Sequence, residues 1–294
     1  MIALLNRSKN VLRLISLCFC KSVKGTIDNS GIENAGYLAF LFMLSIFPFL
    51  FLLITIVTLF FPVNLSEQLV TLIVYSSDIT LDSLVCSLKS QVTKIINAPP
   101  NSLLTLAILS AIWIASSILE ALRTILNKSN RVYNSPSYIL RRLISIVEFI
   151  IVIVFTIIIV FFFSILPTVL TNISSKFDIN IIYYHLYFEK GMQVIIKIFI
   201  FCYIFFLLSF LYYFLPNKKQ KLTNILPGVI LVLLFWKCFT NIFKCYLANF
   251  SQLNVIYGSI VGIIISLLYF YFCSLIFILG AEFNYNTSQS LTKS

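Results

Sequence analysis

The sequence predicts an all-α fold: a polytopic membrane helix bundle of about six transmembrane helices with amphipathic interfacial helices. Three observations predict it. The 294 residues are 60% hydrophobic and only 11% charged, with a mean hydropathy of +1.01. A soluble domain carries about 25% charge. Six apolar runs, at 35–61, 103–122, 143–166, 191–215, 225–248 and 256–281, each reach the ~20 residues a helix needs to cross ~30 Å of hydrocarbon. The connections between these runs alternate between basic and nearly balanced, which is how membrane orientation is encoded.

Three regions follow. Residues 1–34 form a basic N-terminal segment, 35–282 a six-span membrane domain, and 283–294 a short tail. The first segment carries Arg7, Lys9, Arg13, Lys21 and Lys24. Its apolar stretch Val11–Cys20 is interrupted by Arg13 and lacks a small-x-small cleavage site, so it reads as a helix lying in the membrane interface rather than a signal peptide. The first span holds Pro48 at its middle. A proline there removes one backbone hydrogen bond and bends a helix, either as a packing kink or as a hinge.

Residues 62–102 are mixed. Leu65–Ile79 and Leu81–Ile96 space their apolar residues helically but include Glu67, Asp78, Asp82, Lys89 and Lys94. They read as amphipathic helices on the outer face. In the second span Ser110, Trp113, Ser117 and Glu120 share one face, with Glu120 placed to pair with Arg123. The loop 123–142 is basic, with Arg123, Lys128, Arg131, Arg141 and Arg142, and has no acids. Glu148 lies about 8 Å into the third span, at 1.5 Å per residue, and Pro167 is expected to close that span. Residues 168–190 are polar and balanced, with His185 among tyrosines suited to the headgroup zone. The fourth span carries Lys197 near its outer end and leads into the basic turn Lys218–Lys221.

Charges inside the last spans are unusual. Lys237, Asn241 and Lys244 fall at i, i+4 and i+7 and make one polar stripe. It reads as the wall of a water-lined or anion-binding path, or as a stripe that packs on neighbouring helices or snorkels outward. Gly258, Gly262 and Ser266 recur every four residues, a spacing that suits close helix packing. Glu282 stands at the end of the sixth span, placed to pair with Arg141, Arg142 or another cation of the basic loop. With the N-terminus inside, the outer connections hold only Lys89, Lys94, Lys176 and Lys190. Both termini are then expected to be cytoplasmic.

The same composition excludes several classes. The net charge of +11 gathers at span ends, so nucleic acid is not an expected partner. Six of the seven cysteines lie in apolar or near-apolar stretches, which disfavours a disulfide framework. There is one histidine, and no Walker loop, GxSxG or HExxH sequence. No enzyme activity, metal site or cofactor is expected. The expected partners are membrane lipids, a small-molecule, ion or lipid-like substrate, and further copies of the chain.

An ordered set of short elements resembles the YihY/virulence factor BrkB family of bacterial inner-membrane proteins, historically labelled ribonuclease BN-like. These elements are Ser45-Ile46-Phe47-Pro48, Leu126-Asn127 with Arg141-Arg142, and Leu211-Tyr212-Tyr213-Phe214-Leu215-Pro216-Asn217. Pro227-Gly228, Tyr257-Gly258-Ser259 and Gly280-Ala281-Glu282-Phe283-Asn284 complete it. The resemblance covers about residues 30–285. It implies a bundle of about six spans and no agreed biochemical activity. Lys237 and Lys244 depart from the family pattern, which has apolar or small residues in this helix. Transport or flipping of a substrate is the first functional expectation, and a structural or assembly role is the alternative.

Overall fold

The computed structural model describes residues 2–60, 102–132, 137–176, 181–218, 220–249 and 259–293. Among these residues there are seven helices and no strands. They are α1 (Ile2–Asp28), α2 (Gly31–Phe60), α3 (Ser102–Ser129), α4 (Tyr138–Lys176), α5 (Ile181–Phe214), α6 (Leu222–Asn249) and α7 (Ser259–Lys293). The amphipathic stretches expected at 65–79 and 81–96 lie outside the described residues. Among the described residues four stretches are long and apolar enough to cross a membrane: Tyr138–Ile159, Lys197–Phe214, Leu222–Leu247 and Val261–Ser290. Gly31–Ile46 is a shorter apolar helical stretch. The protein is therefore an all-α membrane helix bundle.

Several helices outrun the expected spans. Pro167 does not close α4, which continues to Lys176. A proline inside a membrane helix is tolerated because neighbouring groups can satisfy the freed carbonyl. Pro48 likewise sits within α2, which runs on to Phe60. Helix α5 begins at Ile181, so the tyrosines and His185 belong to a helix rather than to a loop. The expected tail from 283 is also helical, and α7 reaches Lys293. Thr287, Ser288 and Ser290 return their hydroxyls to carbonyls of the preceding turn, which lets a polar run continue an apolar helix.

The chain divides into two compact units. The first comprises Met1–Leu44, Ser116–Ser145 and Phe205–Ser294; the second comprises Ser45–Ala115 and Ile146–Ile204. In the first, α7 packs on both α6 and α1. Its core includes Leu38, Leu126, Leu215, Ile225, Val229, Val232 and Ile278. An aromatic cluster of Phe239, Phe243, Tyr269 and Phe272 joins α6 to α7, with ring centroids 5.2–5.7 Å apart. Outward positions of the same helices are also apolar, among them Leu234, Ile242 and Ile264. Apolar residues both inside and outside are what lipid, rather than water, permits. In the second unit, the Thr156 and Tyr203 hydroxyls share a 2.8 Å hydrogen bond, and Phe155 stacks on the Tyr203 ring.

Candidate functional site

The first unit gathers a polar cluster at its basic end, centred on Glu282. This carboxylate is wholly buried. Arg131 Nη1 donates to Oε1 at 2.9 Å and Arg131 Nη2 to Oε2 at 3.1 Å. Asn29 Nδ2 donates to Oε1 at 2.7 Å and also reaches the Gly25 carbonyl at 2.8 Å. The forked guanidinium matches the two carboxylate oxygens, the strong geometry for such a pair. Gly25 makes room for it, because a Cβ at that position would lie 2.6 Å from Glu282 Oε2.

Arg131 reaches Glu282 through an unusual helix end. The Val132 amide donates to the Asn127 carbonyl at 2.9 Å and the Arg131 amide to Lys128 at 3.1 Å. This double closure ends α3 with residue 131 in the left-handed region, at φ 59°. Glycine is the usual residue there, and a Cβ makes the conformation costly. The side chain offsets that cost. Arg131 Nη1 also bonds the last carbonyls of α3, Lys128 at 3.1 Å and Ser129 at 3.0 Å. The guanidinium lies over the Tyr285 ring at 4.9 Å, and Lys218 Nζ lies 5.6 Å from the same ring.

Other pairs tie the same end together. Asn127 Oδ1 accepts from the Asn217 amide at 2.7 Å, and Asn130 Oδ1 from Gln220 Nε2 at 2.8 Å. Tyr212 donates to the Phe277 carbonyl at 2.6 Å and stacks on the Phe277 ring at 4.8 Å. The Gly228 amide, next to Pro227, donates to Asn284 Oδ1 at 2.6 Å. Gly228 and Gly280 bring α6 and α7 so close that a Cβ on Gly228 would collide with the Gly280 carbonyl. Asn286 Nδ2 donates to Ser22 Oγ at 3.0 Å, joining α7 to α1.

Glu282 thus pairs with a cation of the basic loop, and that cation is Arg131. Glu120 bonds Arg142 at 3.2 Å, a correction of the expected Arg123 pairing. Arg142 also donates to Ser117 Oγ at 3.0 Å. The reason is reach across the turn: the first turn of α4 brings Arg142 beside the face of α3 that carries Ser117 and Glu120. Arg123 is itself fully buried. Glu148 is buried in the second unit, with 8% of its surface exposed. Lys237 and Asn241 are exposed and Lys244 is half-buried, so the stripe does not pack as a whole on this chain's helices. Pro48 is half-buried. Gly258 lies outside the described residues. Nothing lies within 4 Å of a Cβ built on Gly262, and Ser266 Oγ bonds back to the Gly262 carbonyl at 2.7 Å. Among the described residues, α6 and α7 approach closely at Gly228 and Gly280, not at Gly262.

Asn29, Gly25, Asn130 and Tyr285 carry no signal in the sequence that marks them as members of this cluster. Each is an ordinary polar, small or aromatic residue whose partner is distant along the chain. The Glu282 carboxylate is filled by three N–H donors, which suits a brace between helices rather than a nucleophile or metal ligand. Among the described residues no group of three or more His, Cys, Asp or Glu side chains could hold a metal ion.

A helical membrane protein with a buried Glu282 carboxylate braced by Arg131 in its first unit is the class that fold and site define. The chain belongs to the virulence factor BrkB family, whose profile matches residues 23–294. It is 29% identical over 259 residues to the ribonuclease-like protein YfkH of Bacillus subtilis (strain 168), covering 87% of this chain and 90% of that one. It is 31% identical over 72 residues to the UPF0761 membrane protein VV0203 of Vibrio vulnificus (strain YJ016), covering 24% of this chain and 23% of that one. No solved structure matches.

Proposed function

We propose that this protein is a non-enzymatic transporter of the bacterial inner membrane that moves an ion, small molecule or lipid-like substrate. The observation that carries this reading is Glu148. It is a buried carboxylate within Tyr138–Ile159, a stretch long and apolar enough to cross the bilayer. An acidic group within the hydrocarbon is costly, and Glu148 stands about 8 Å into the apolar run. Glu148 interacts with other groups of the protein, so the carboxylate is held in place at that depth. A path for a polar or charged substrate gives it a use. The brace at Glu282 and Arg131 then holds one end of the bundle while the part containing Glu148 handles substrate. Both termini face the cytoplasm in this reading, which the distribution of Lys and Arg supports.

Purified protein in proteoliposomes tests the proposal against two probes: potential-clamped ion flux and transbilayer movement of a fluorescent phospholipid. The wild type is expected to accelerate one of them above protein-free vesicles. Glu148→Gln is expected to lower that rate tenfold or more, while Lys237→Leu, at an exposed position, keeps it. Absence of flux for every probe, from protein that remains folded, would overturn transport. A structural or assembly role is the second reading. It is favoured by the largely exposed apolar stretch Lys197–Phe214, only 11% buried, which leaves a long surface for a partner helix. Stable co-purification of one protein partner without flux would select it.

A further inference from the structure

Helix α1 turns to the protein the face that a soluble helix would turn to water. Cys18, Ser22, Gly25 and Thr26 are buried, and Asn29 follows at the same helical spacing. This small, polar face meets α7 through the Asn286–Ser22 bond, the Asn29–Glu282 bond and the close approach of Gly25 to Glu282. The opposite side is apolar. Leu14, Leu17, Val23 and Ile27 are 38–58% exposed. Water does not favour that arrangement, and lipid does.

Lys21 and Lys24 are exposed among these apolar residues. An ammonium group does not stay in hydrocarbon; its stem lies along the apolar surface while its head reaches the polar layer. Apolar and basic residues on one exposed face place a helix at the level of the headgroups. Charge then selects the lipid. The helix holds Arg7, Lys9, Arg13, Lys21 and Lys24 against a single acid, Asp28. We infer that the exposed face of α1 is a docking surface for anionic phospholipid, with Lys21 and Lys24 contacting the headgroups.

The test is native mass spectrometry of the full-length protein released from vesicles of equal phosphatidylglycerol and phosphatidylcholine. The wild type is expected to retain phosphatidylglycerol preferentially, and rising salt should erode the preference. Neutralising lysines near an anionic surface is worth roughly fivefold each, so Lys21→Gln/Lys24→Gln should lower the preference by roughly 25-fold if the two effects add. Lys21→Arg/Lys24→Arg should restore it. Lys197→Gln/Lys237→Gln removes the same charge elsewhere and should leave the preference near wild type. Three results would overturn the inference: no preference in the wild type, an unchanged preference in Lys21→Gln/Lys24→Gln, or an equal loss in both neutralised variants.

Discussion

Arg131 occupies a position where glycine would cost less backbone strain, and its side chain explains why an arginine can stand there. The left-handed conformation costs about 1–2 kcal/mol for a residue with a Cβ. Against that stand two bonds to the carbonyls of α3 and a forked pair with a wholly buried carboxylate. A buried ion pair is not in itself a large stabiliser, but removing one partner strands the other. Arg131 retains 30% side-chain exposure, so water recovers part of its charge when Glu282 is neutralised. Glu282→Gln should therefore destabilise the fold by about 2–3 kcal/mol, at or below the lower end for a broken buried pair. Arg131→Gly should also destabilise the wild type. In the Glu282→Gln background the same glycine should cost about 1–3 kcal/mol less, because the pair is already lost and the relieved strain remains. Reversible unfolding in mixed detergent micelles measures both. Equal costs of Arg131→Gly in the two backgrounds would show that the pair contributes nothing through Glu282.

At the scale of helices, the contact between α6 and α7 depends on two glycines. A Cβ on Gly228 would meet the Gly280 carbonyl and the Asn284 side chain, and a Cβ on Gly280 would meet Val232 and the Tyr212 hydroxyl at 2.6 Å. Backbone and packed side chains cannot yield as a free side-chain tip can. Gly228→Ala should cost about 1–3 kcal/mol or more through overpacking. Gly262→Ala should instead be neutral or stabilising by up to about 1 kcal/mol, because alanine favours helix and the site is open. Thermal unfolding in nanodiscs, one bilayer for all variants, reads the two signs. The contrast also shows what the sequence could tell. Pro227-Gly228 and Gly280-Ala281-Glu282-Phe283-Asn284 stand out as short elements, and they are contact points between α6 and α7 or, at Glu282, with Arg131. The spacing of Gly258, Gly262 and Ser266 is as regular, yet among the described residues nothing lies within 4 Å of a Cβ built on Gly262. Helical spacing places residues on one face; it does not say which face another helix occupies. Pairings such as Asn29 with Glu282 are 253 residues apart in sequence, and nothing local encodes them.

Across the whole molecule, apolar run lengths made the bundle legible, because lipid forces every spanning segment to satisfy its own backbone. Helix ends were less legible: α4, α5 and α7 continue through polar residues that hydropathy assigns to loops or a tail. The contacts at the basic end add a constraint that hydropathy lacks. Asn29 and Arg131 both bond Glu282, Lys218 and Arg131 share the Tyr285 ring, and Asn217 bonds Asn127. Segments that meet lie on one side of the membrane, so the chain crosses an even number of times between any two of them. The loop after α3 and the turn after α5 therefore share a side, and a crossing by Tyr138–Ile159 must be undone by Lys197–Phe214. On that pairing the chain between the two stretches is expected on the side opposite Arg131, and labelling tests it. Arg131, Lys128 and Lys218 make the polar cluster basic, so the side expected for it is the cytoplasm. A single cysteine at Ser135→Cys, four residues after Arg131 in sequence, should resist an impermeant maleimide in intact spheroplasts and react after lysis. A single cysteine at Asn180→Cys should react in intact spheroplasts. Reversed labelling would invert the orientation while preserving the pairing of spans. Labelling of both from one side would mean that the chain between 135 and 180 does not cross, and that α4 lies within one leaflet or its interface.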